Sequence, residues 1–566
     1  MRRLWLRPVG CALLVVALVY GATLTMLPVR SFWGNDTENK FLLLKSIVAS
    51  GYRDFSIRWP GSALDPGLEF QPLPPPWSVV RDGKVYSVYS PVFALLSSFP
   101  FRAFGFAGLL VLPFCASLLL FAGVARIASR LGTYTAAMPV AIGVAALCTP
   151  LWFYGVQFWE HSVGVCAATW SVAYALDWLQ AGKLRSLVIA GLCAGIGIWF
   201  RDELYLFAAV QLALLLASQR VRARTAVTFI GAMIAGLVPL WLLQWRTLGA
   251  PFGFHLEAHA LSVSGVGELL ATRAASLQAL LVACSDQPGT SLVLAAPYLV
   301  PLVMYPRLSE RWFHYTLPVL ALLALGSPIS VLWGYTTAES TMTWTYQTNA
   351  LFSTTPLLAL GLVRHRGTQG AWAAGSDRAA KHVRGLALGY ALLYALLAPS
   401  AMSFSGIHWG NRFLLVLYPL FAALAAANLV AWWRDHRSAW GRAALLVAAV
   451  VSLAAQCWSI ALLNQKKEFT SRLNEMVALR APSAIVTNVW WAPQELFLVF
   501  HDRPIFLLDP SANYETLLAR LAAGDQETFL LVTQASNVPG ATLVGHIDDG
   551  RLGLFGVRLF EARTRP

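Results

Sequence analysis

Apolar runs of about 17 to 23 residues recur from the N-terminus to residue 463, and each is long enough to cross a bilayer as a helix. Their spacing predicts about thirteen spans, near residues 9–28, 106–125, 134–152, 161–180, 184–200, 203–219, 225–245, 289–305, 313–333, 346–363, 385–400, 413–433 and 441–463. Of the 566 residues, 57% are hydrophobic and 12% charged, and the mean hydropathy is +0.59. A soluble domain carries about 25% charged residues, so the predicted class is an all-α polytopic membrane protein. Val9 to Pro28 follows the basic segment MRRLWLR, and TMLPVRS is a poor small-residue cleavage site, so an uncleaved first helix is expected.

A net charge of +14 and a pI near 9.6 would suit nucleic acid if the basic residues gathered on one segment. Instead they alternate between connections: Arg2, Arg3 and Arg7; Arg126 and Arg130; Lys183 and Arg185; Arg220, Arg222 and Arg224; Arg307 and Arg311; Arg364, Arg366, Arg378, Lys381 and Arg384; Arg434, Arg437 and Arg442. This is the bias that orients membrane helices. It predicts a cytoplasmic N-terminus, a C-terminus on the other side, and no nucleic-acid partner. Six cysteines (Cys11, Cys115, Cys148, Cys166, Cys193 and Cys457) fall inside apolar runs and only Cys284 in a loop, so neither a disulfide framework nor a zinc spacing is formed.

In this orientation the outer side receives residues 29–105, 153–160, 201–203, 246–288, 334–345, 401–412 and the tail 464–566. The first loop opens with SFWGNDTENKFLLLKSIVASG (Ser31 to Gly51). Apolar positions 41, 44 and 47/48 make a helical stripe with Lys40 and Lys45 on its polar flank, the pattern of a helix lying in the interface. QPLPPPW (Gln71 to Trp77) is extended, and YSVYSPVFALLSSFPF, broken by Pro91 and Pro100, reads as a second interfacial helix. Past residue 466, short β-branched runs around one helical piece predict a small outer α/β domain. The chain thus divides into a membrane domain over 1–465 and this domain over 466–566.

Polar constellations fall on the outer side, as a site for a membrane-embedded substrate requires. Asn35, Asp36 or Thr37 can cap a helix starting near Glu38, whereas Asp36, partly desolvated at the bilayer surface, can also serve as a general base. The same three residues match the short glycosylation-acceptor pattern. FWEHS puts Glu160 and His161 at the end of a connection, suited to moving protons or gripping a polar substrate, or simply to negative charge at a helix N-terminus. WFRDELY holds Arg201, Asp202 and Glu203 between two spans, where ionisable groups are expensive. An arginine there grips phosphate through its forked donors or pairs with a local carboxylate. SGIHWGNRFLLVLYP places His408 and Arg412 at the height of a lipid phosphate, with Gly406 and Gly410 permitting close backbone approach. His255 and His259 stand four apart in FHLEAH, which is not the HExxH motif; local hydrogen bonding is the simpler reading, and no cofactor or metal is expected. Trp333, Trp344 and Trp409 suit sugar stacking or the bilayer interface equally. No nucleotide-binding fingerprint or Ser-His-Asp order is present.

One span followed by a long outer loop opening on an acid and an interfacial helix, with VYSVYSPVFALLSSFPF, FWEHS, WFRDELY and HWGNRFLLVLYP after it, resembles the GT-C superfamily of membrane glycosyltransferases. Within it the chain is similar to bacterial relatives of the protein O-mannosyltransferase and aminoarabinose-transferase group, over roughly residues 1–465. The resemblance implies a polyprenyl-phosphate-linked sugar donor, an acceptor outside the cytoplasm, inversion at the anomeric carbon and residence in a bacterial plasma membrane. It implies Asp36 as the first-loop acid that acts as base, with Glu38 as the second catalytic residue, sharing that role or flanking it. Many relatives carry adjacent Asp-Glu where Thr37 intervenes here. Arg201, His408 and Arg412 are then expected at the donor phosphate, and Glu160, His161, Tyr86, Tyr89 and Glu203 along the substrate pocket. A flippase for lipid-linked glycans would need ionisable groups deep in helices and reaching both faces. A non-enzymatic assembly subunit would depend on its tail.

Overall fold

A computed structural model describes residues 2–132, 134–218, 222–255, 265–281, 293–294, 296–298, 310–337, 350–363, 374–397, 407–435, 437–508, 514–548 and 556–564. They fall into two compact units. One comprises Met1–Leu24, Leu112–Pro239 and Leu261–Ile460, the other Thr25–Val111, Leu240–Ala260 and Ala461–Pro566.

The first unit is helical. Among the described residues of the whole chain, five helical segments are long and apolar enough to cross a membrane: Arg7–Met26, Pro91–Leu131, Arg222–Leu248, Trp312–Gly334 and Ala439–Arg480. Ala137–Leu147, Leu184–Ile198 and Leu204–Ala217 are shorter apolar helices. Several predicted spans are therefore less regular than the hydropathy implies. The span expected over 134–152 is helical over Ala137–Leu147 and restarts after Pro150 as the short helix Leu151–Gly155. That over 313–333 is divided into Glu310–Leu323 and Gly326–Thr337. From residue 350 the span expected over 346–363 is helical only in Leu358–Leu362, and most of 289–305 lies outside the described residues. Hydropathy registers how apolar a run is, and it does not register where a proline or glycine breaks the backbone ladder.

Small residues let helices of this unit touch backbone to backbone. A Cβ on Gly191 would lie 2.5 Å from the Phe229 carbonyl oxygen, and one on Gly195 2.4 Å from that of Met233. Asp177, buried on His161–Ala181, pairs with both Arg126 and Arg130, two of the arginines expected in a cytoplasmic connection.

The second unit joins the first loop to the tail. Its five-stranded mixed sheet has the order β4-β3-β5-β7-β6, where β3 is Ile485–Thr487, β4 Ile505–Leu507, β5 Thr528–Thr533, β6 Thr542–Ile547 and β7 Val557–Arg563. β3 runs parallel to β4 and β5, and β7 antiparallel to β5 and β6. The first loop contributes the hairpin β1 (Ser78–Arg81) and β2 (Lys84–Ser87) and is fastened to the sheet. Trp59 Nε1 donates to the Ile505 carbonyl at 2.8 Å, the Leu507 amide donates to the Phe70 carbonyl at 3.0 Å, and Arg520 pairs with the buried Asp65. The first-loop helix, Asn35–Ala49, is held by an aromatic cluster in which Phe32, Phe41, Phe106 and Phe497 pack in tilted and edge-on pairs at centroid distances of 4.6 to 6.4 Å. Ala439–Arg480, 42 residues long, extends about 63 Å at 1.5 Å per residue, twice a hydrocarbon core of about 30 Å. Its residues from Ala461 onward belong to this unit.

Candidate functional site

Each unit holds a polar cluster that contains expected site residues. In the second, the first-loop helix starts at Asn35, and its N-cap is Gly34, in extended backbone. The Thr37 amide and hydroxyl both donate to the Gly34 carbonyl, at 2.8 and 2.5 Å. The expectation that Asn35, Asp36 or Thr37 caps a helix beginning near Glu38 is thus corrected. A backbone glycine and a threonine reaching back close the turn, and Asp36 is left in the first turn with its carboxylate committed elsewhere. The Tyr89 hydroxyl donates to Asp36 Oδ1. Tyr89 comes from the turn before Pro91–Phe104, a helix opened by proline in its first turn. Its ring lies 5.9 Å from His255, while Tyr86, on β2, faces Phe254 at 6.3 Å. His259 lies outside the described residues.

A second correction concerns Lys40. It is not on a solvated flank but 2% exposed, with Nζ 4.1 Å from the centre of the Tyr89 ring. Thr37, Glu38, Asn39 and Lys40 are consecutive and all buried, because structure surrounds this helix on every side, and a two-sided amphipathic pattern does not reveal that. Glu38 is fully buried, and among the described residues neither carboxylate oxygen has a hydrogen-bond partner in another residue. Burial pushes its carboxyl well above the ordinary range, Glu495 adds to the push and Lys466 partly offsets it. Lys466 Nζ is committed to Glu495 Oε1 at 2.6 Å and to Thr470 Oγ1 at 2.8 Å, and Thr470 Oγ1 reaches Glu495 Oε2 at 2.8 Å. Glu38 and Asp36 therefore have different surroundings, Glu38 fully buried beside Glu495 and Lys466 and Asp36 held by a phenol. No local pattern marks Lys40, Lys466 or Glu495 as members of this cluster.

In the first unit, Arg201 sits between Leu184–Ile198 and Leu204–Ala217. Its Nε donates to Glu203 Oε1 at 2.6 Å and its Nη1 to Glu160 Oε1 at 3.2 Å. Burial opposes its charge, yet Glu203 and Glu160 hold the guanidinium above its ordinary value. Gly164 makes room for it, since a Cβ there would lie 2.9 Å from Arg201 Cγ. Glu160 is the N-cap residue of His161–Ala181, with His161 Nδ1 3.8 Å from its Oε1. The His161 ring stacks on Tyr154 at 5.1 Å and meets Trp159 edge-on at 4.5 Å. Arg412 lies over Phe413 at 4.8 Å and Trp159 at 5.8 Å, and Arg201 over the same Phe413 at 5.6 Å. His408 is buried, its Nδ1 2.9 Å from the Gly410 carbonyl. Gly410 has φ +64 and packs where a Cβ would strike Pro150 and the Tyr418 hydroxyl. The sequence-predicted residues Glu160, His161, Arg201, Glu203, His408 and Arg412 are thus brought into one neighbourhood, with two guanidinium groups sharing a phenyl ring. Among the described residues no group of three or more His, Cys, Asp or Glu side chains is placed to hold a metal ion.

No protein-family profile matches the chain, and no curated protein matches it in sequence. Among solved structures it is similar to the crystal structure of ArnT from Cupriavidus metallidurans bound to undecaprenyl phosphate, with a TM-score of 0.52, 13% identity and 97% of each chain covered. The apo state of ArnT from the same organism gives a TM-score of 0.45 at the same identity and coverage. The chain shares the fold of the first of these structures. It is an integral membrane protein, as its apolar helices require.

Proposed function

We propose that this chain is a membrane glycosyltransferase that moves a sugar from a polyprenyl-phosphate donor to an extracytoplasmic acceptor with inversion. The observation that carries the reading is the likeness in fold, over 97% of both chains, to a transferase bound to undecaprenyl phosphate. In the reaction the acceptor hydroxyl oxygen attacks the anomeric carbon while the bond from that carbon to the phosphate oxygen breaks. The acceptor proton passes to Asp36, and polyprenyl phosphate departs. General-base help of this kind is worth roughly 10²–10⁴-fold. Asp36 acts alone, since Glu38 is fully buried against Glu495 and Lys466. Arg412 and His408, with Arg201 oriented by its two carboxylates, offset the charge that develops on the departing phosphate, and Glu160, His161, Tyr86 and Glu203 are assigned to substrate binding.

The reading includes about thirteen spans, a cytoplasmic N-terminus and an outer sheet-bearing tail. Reporter fusions after residues 183 and 480 check this orientation: the first should report cytoplasm and the second the outer side. The function itself is tested by deleting the gene and comparing extracytoplasmic glycans by mass spectrometry after complementation with wild type or Asp36→Ala. A sugar restored equally by both would sink the transferase reading.

A further inference from the structure

Asp36 and Lys40 stand four residues apart, on one face of the helix Asn35–Ala49. Tyr89 spans that face. Its hydroxyl donates to Asp36 Oδ1, and its ring lies 4.1 Å from the Lys40 ammonium, itself 2% exposed. An ammonium over an aromatic face is attracted by the ring's quadrupole, more strongly when desolvated. A phenol donating to a carboxylate favours its charged form. The two contacts are in series: the cation fixes the ring, and the ring's hydroxyl fixes the acid. Glu38, two residues on, is about 200° further around the helix and faces Glu495 and Lys466. Among the described residues, the charged or titratable groups around this assembly include Glu38 on the same helix, His255 beside the Tyr89 ring, and Glu495 with Lys466 behind Glu38.

We propose that Tyr89 and Lys40 are positioning residues for the transfer step, holding the Asp36 carboxylate in the orientation in which it meets the acceptor hydroxyl. This rests on the reading of Asp36 as the base. Asp36 alone takes the acceptor proton; Tyr89 keeps its own throughout, and Lys40 holds the ring of Tyr89.

Two measurements on the full chain in membranes test this. Dicyclohexylcarbodiimide converts a protonated carboxyl to a stable N-acylurea, so adduct formation at Asp36, located by tandem mass spectrometry across pH, reads its protonation without any substrate. In Tyr89→Phe the pH at which Asp36 ceases to be labelled should rise by about 1–2 units, the effect of losing a hydrogen bond to a charged group. Lys40→Met should shift it in the same direction and Lys40→Arg should restore it. The second measurement times the loss of metabolic label from the host's own polyprenyl-phosphate-linked sugars in washed membranes of the deletion strain carrying each variant. Tyr89→Phe should slow turnover roughly tenfold, the equivalent of one such unit, with the acid limb of the pH profile displaced upward. Wild-type labelling and an unmoved pH profile in Tyr89→Phe, with Asp36→Asn inactive, overturn the positioning role and leave the base in place. Full turnover by Asp36→Asn overturns the base reading itself, and the positioning role with it.

Discussion

Replacing Lys466 by methionine keeps most of the side-chain volume and removes its charge. Lys466 and Glu495 are both 0% exposed, and Nζ donates at 2.6 Å to Glu495 and at 2.8 Å to Thr470. The substitution leaves the Glu495 carboxylate buried with Thr470 Oγ1 as its remaining side-chain partner among the described residues, and with Glu38 as a second acid nearby. Removing one member of a buried ion pair costs about 3–5 kcal/mol, because the other stays behind uncompensated. Replacing both charges with neutral groups is far milder, so Lys466→Met/Glu495→Gln should recover most of the loss. Detergent-solubilised protein heated in steps and followed by fluorescence-detected size exclusion gives the comparison, at one heating rate because unfolding is irreversible. The single variant should lose its monodisperse peak several degrees below wild type, and the double should lie between them. A single variant as stable as wild type, or a double no better than the single, refutes this account of the buried charges.

The Glu38 carboxyl, raised by burial, binds its proton more tightly in the folded chain than in the unfolded one, so its contribution to stability is full below the ordinary carboxylate range and is lost as pH rises through the raised value. Glu38→Gln should therefore flatten the fall in heat stability between acid and alkaline pH while leaving glycan transfer intact; an unchanged slope rejects the raised Glu38 carboxyl. Gly164→Ala puts a methyl group 2.9 Å from Arg201 Cγ and displaces the guanidinium from Glu160 and Glu203. Turnover of the host's labelled donor should fall roughly tenfold to a hundredfold at normal membrane abundance, and undiminished turnover removes Arg201 from the site.

The membrane class was legible because apolar runs near 20 residues long have few other uses, and the outer polar clusters because ionisable groups between such runs are rare. FWEHS, WFRDELY and HWGNRF were each visible locally, and the fold brings their charged residues together. What stayed hidden is burial. Lys40, at a polar-looking position between Asn39 and Phe41, has no local mark that sets it apart from an exposed lysine. Tyr89 finds Asp36 across 53 residues, and Lys466 finds Glu495 across 29; no periodicity reports such pairings. The sheet was legible in part. β5 and β7 carry β-branched and aromatic runs, whereas the edge strand β6 contains Gly545 and a register irregularity between Leu543 and Gly545, which breaks the alternation a strand is recognised by. The helix cap was misread because Gly34 caps through its backbone, and side-chain rules point to Asn, Asp and Thr first.

The most direct test of the central claim is the glycan profile of a deletion strain carrying Asp36→Asn. Asparagine has the same shape and cannot take the acceptor proton, and with Gly34 as the N-cap the change leaves the helix start intact. If wild type restores an extracytoplasmic sugar and Asp36→Asn, at equal membrane abundance, does not, Asp36 is the base the account requires. If Asp36→Asn restores the sugar as fully as wild type, the carboxylate has no chemical role and the account is contradicted.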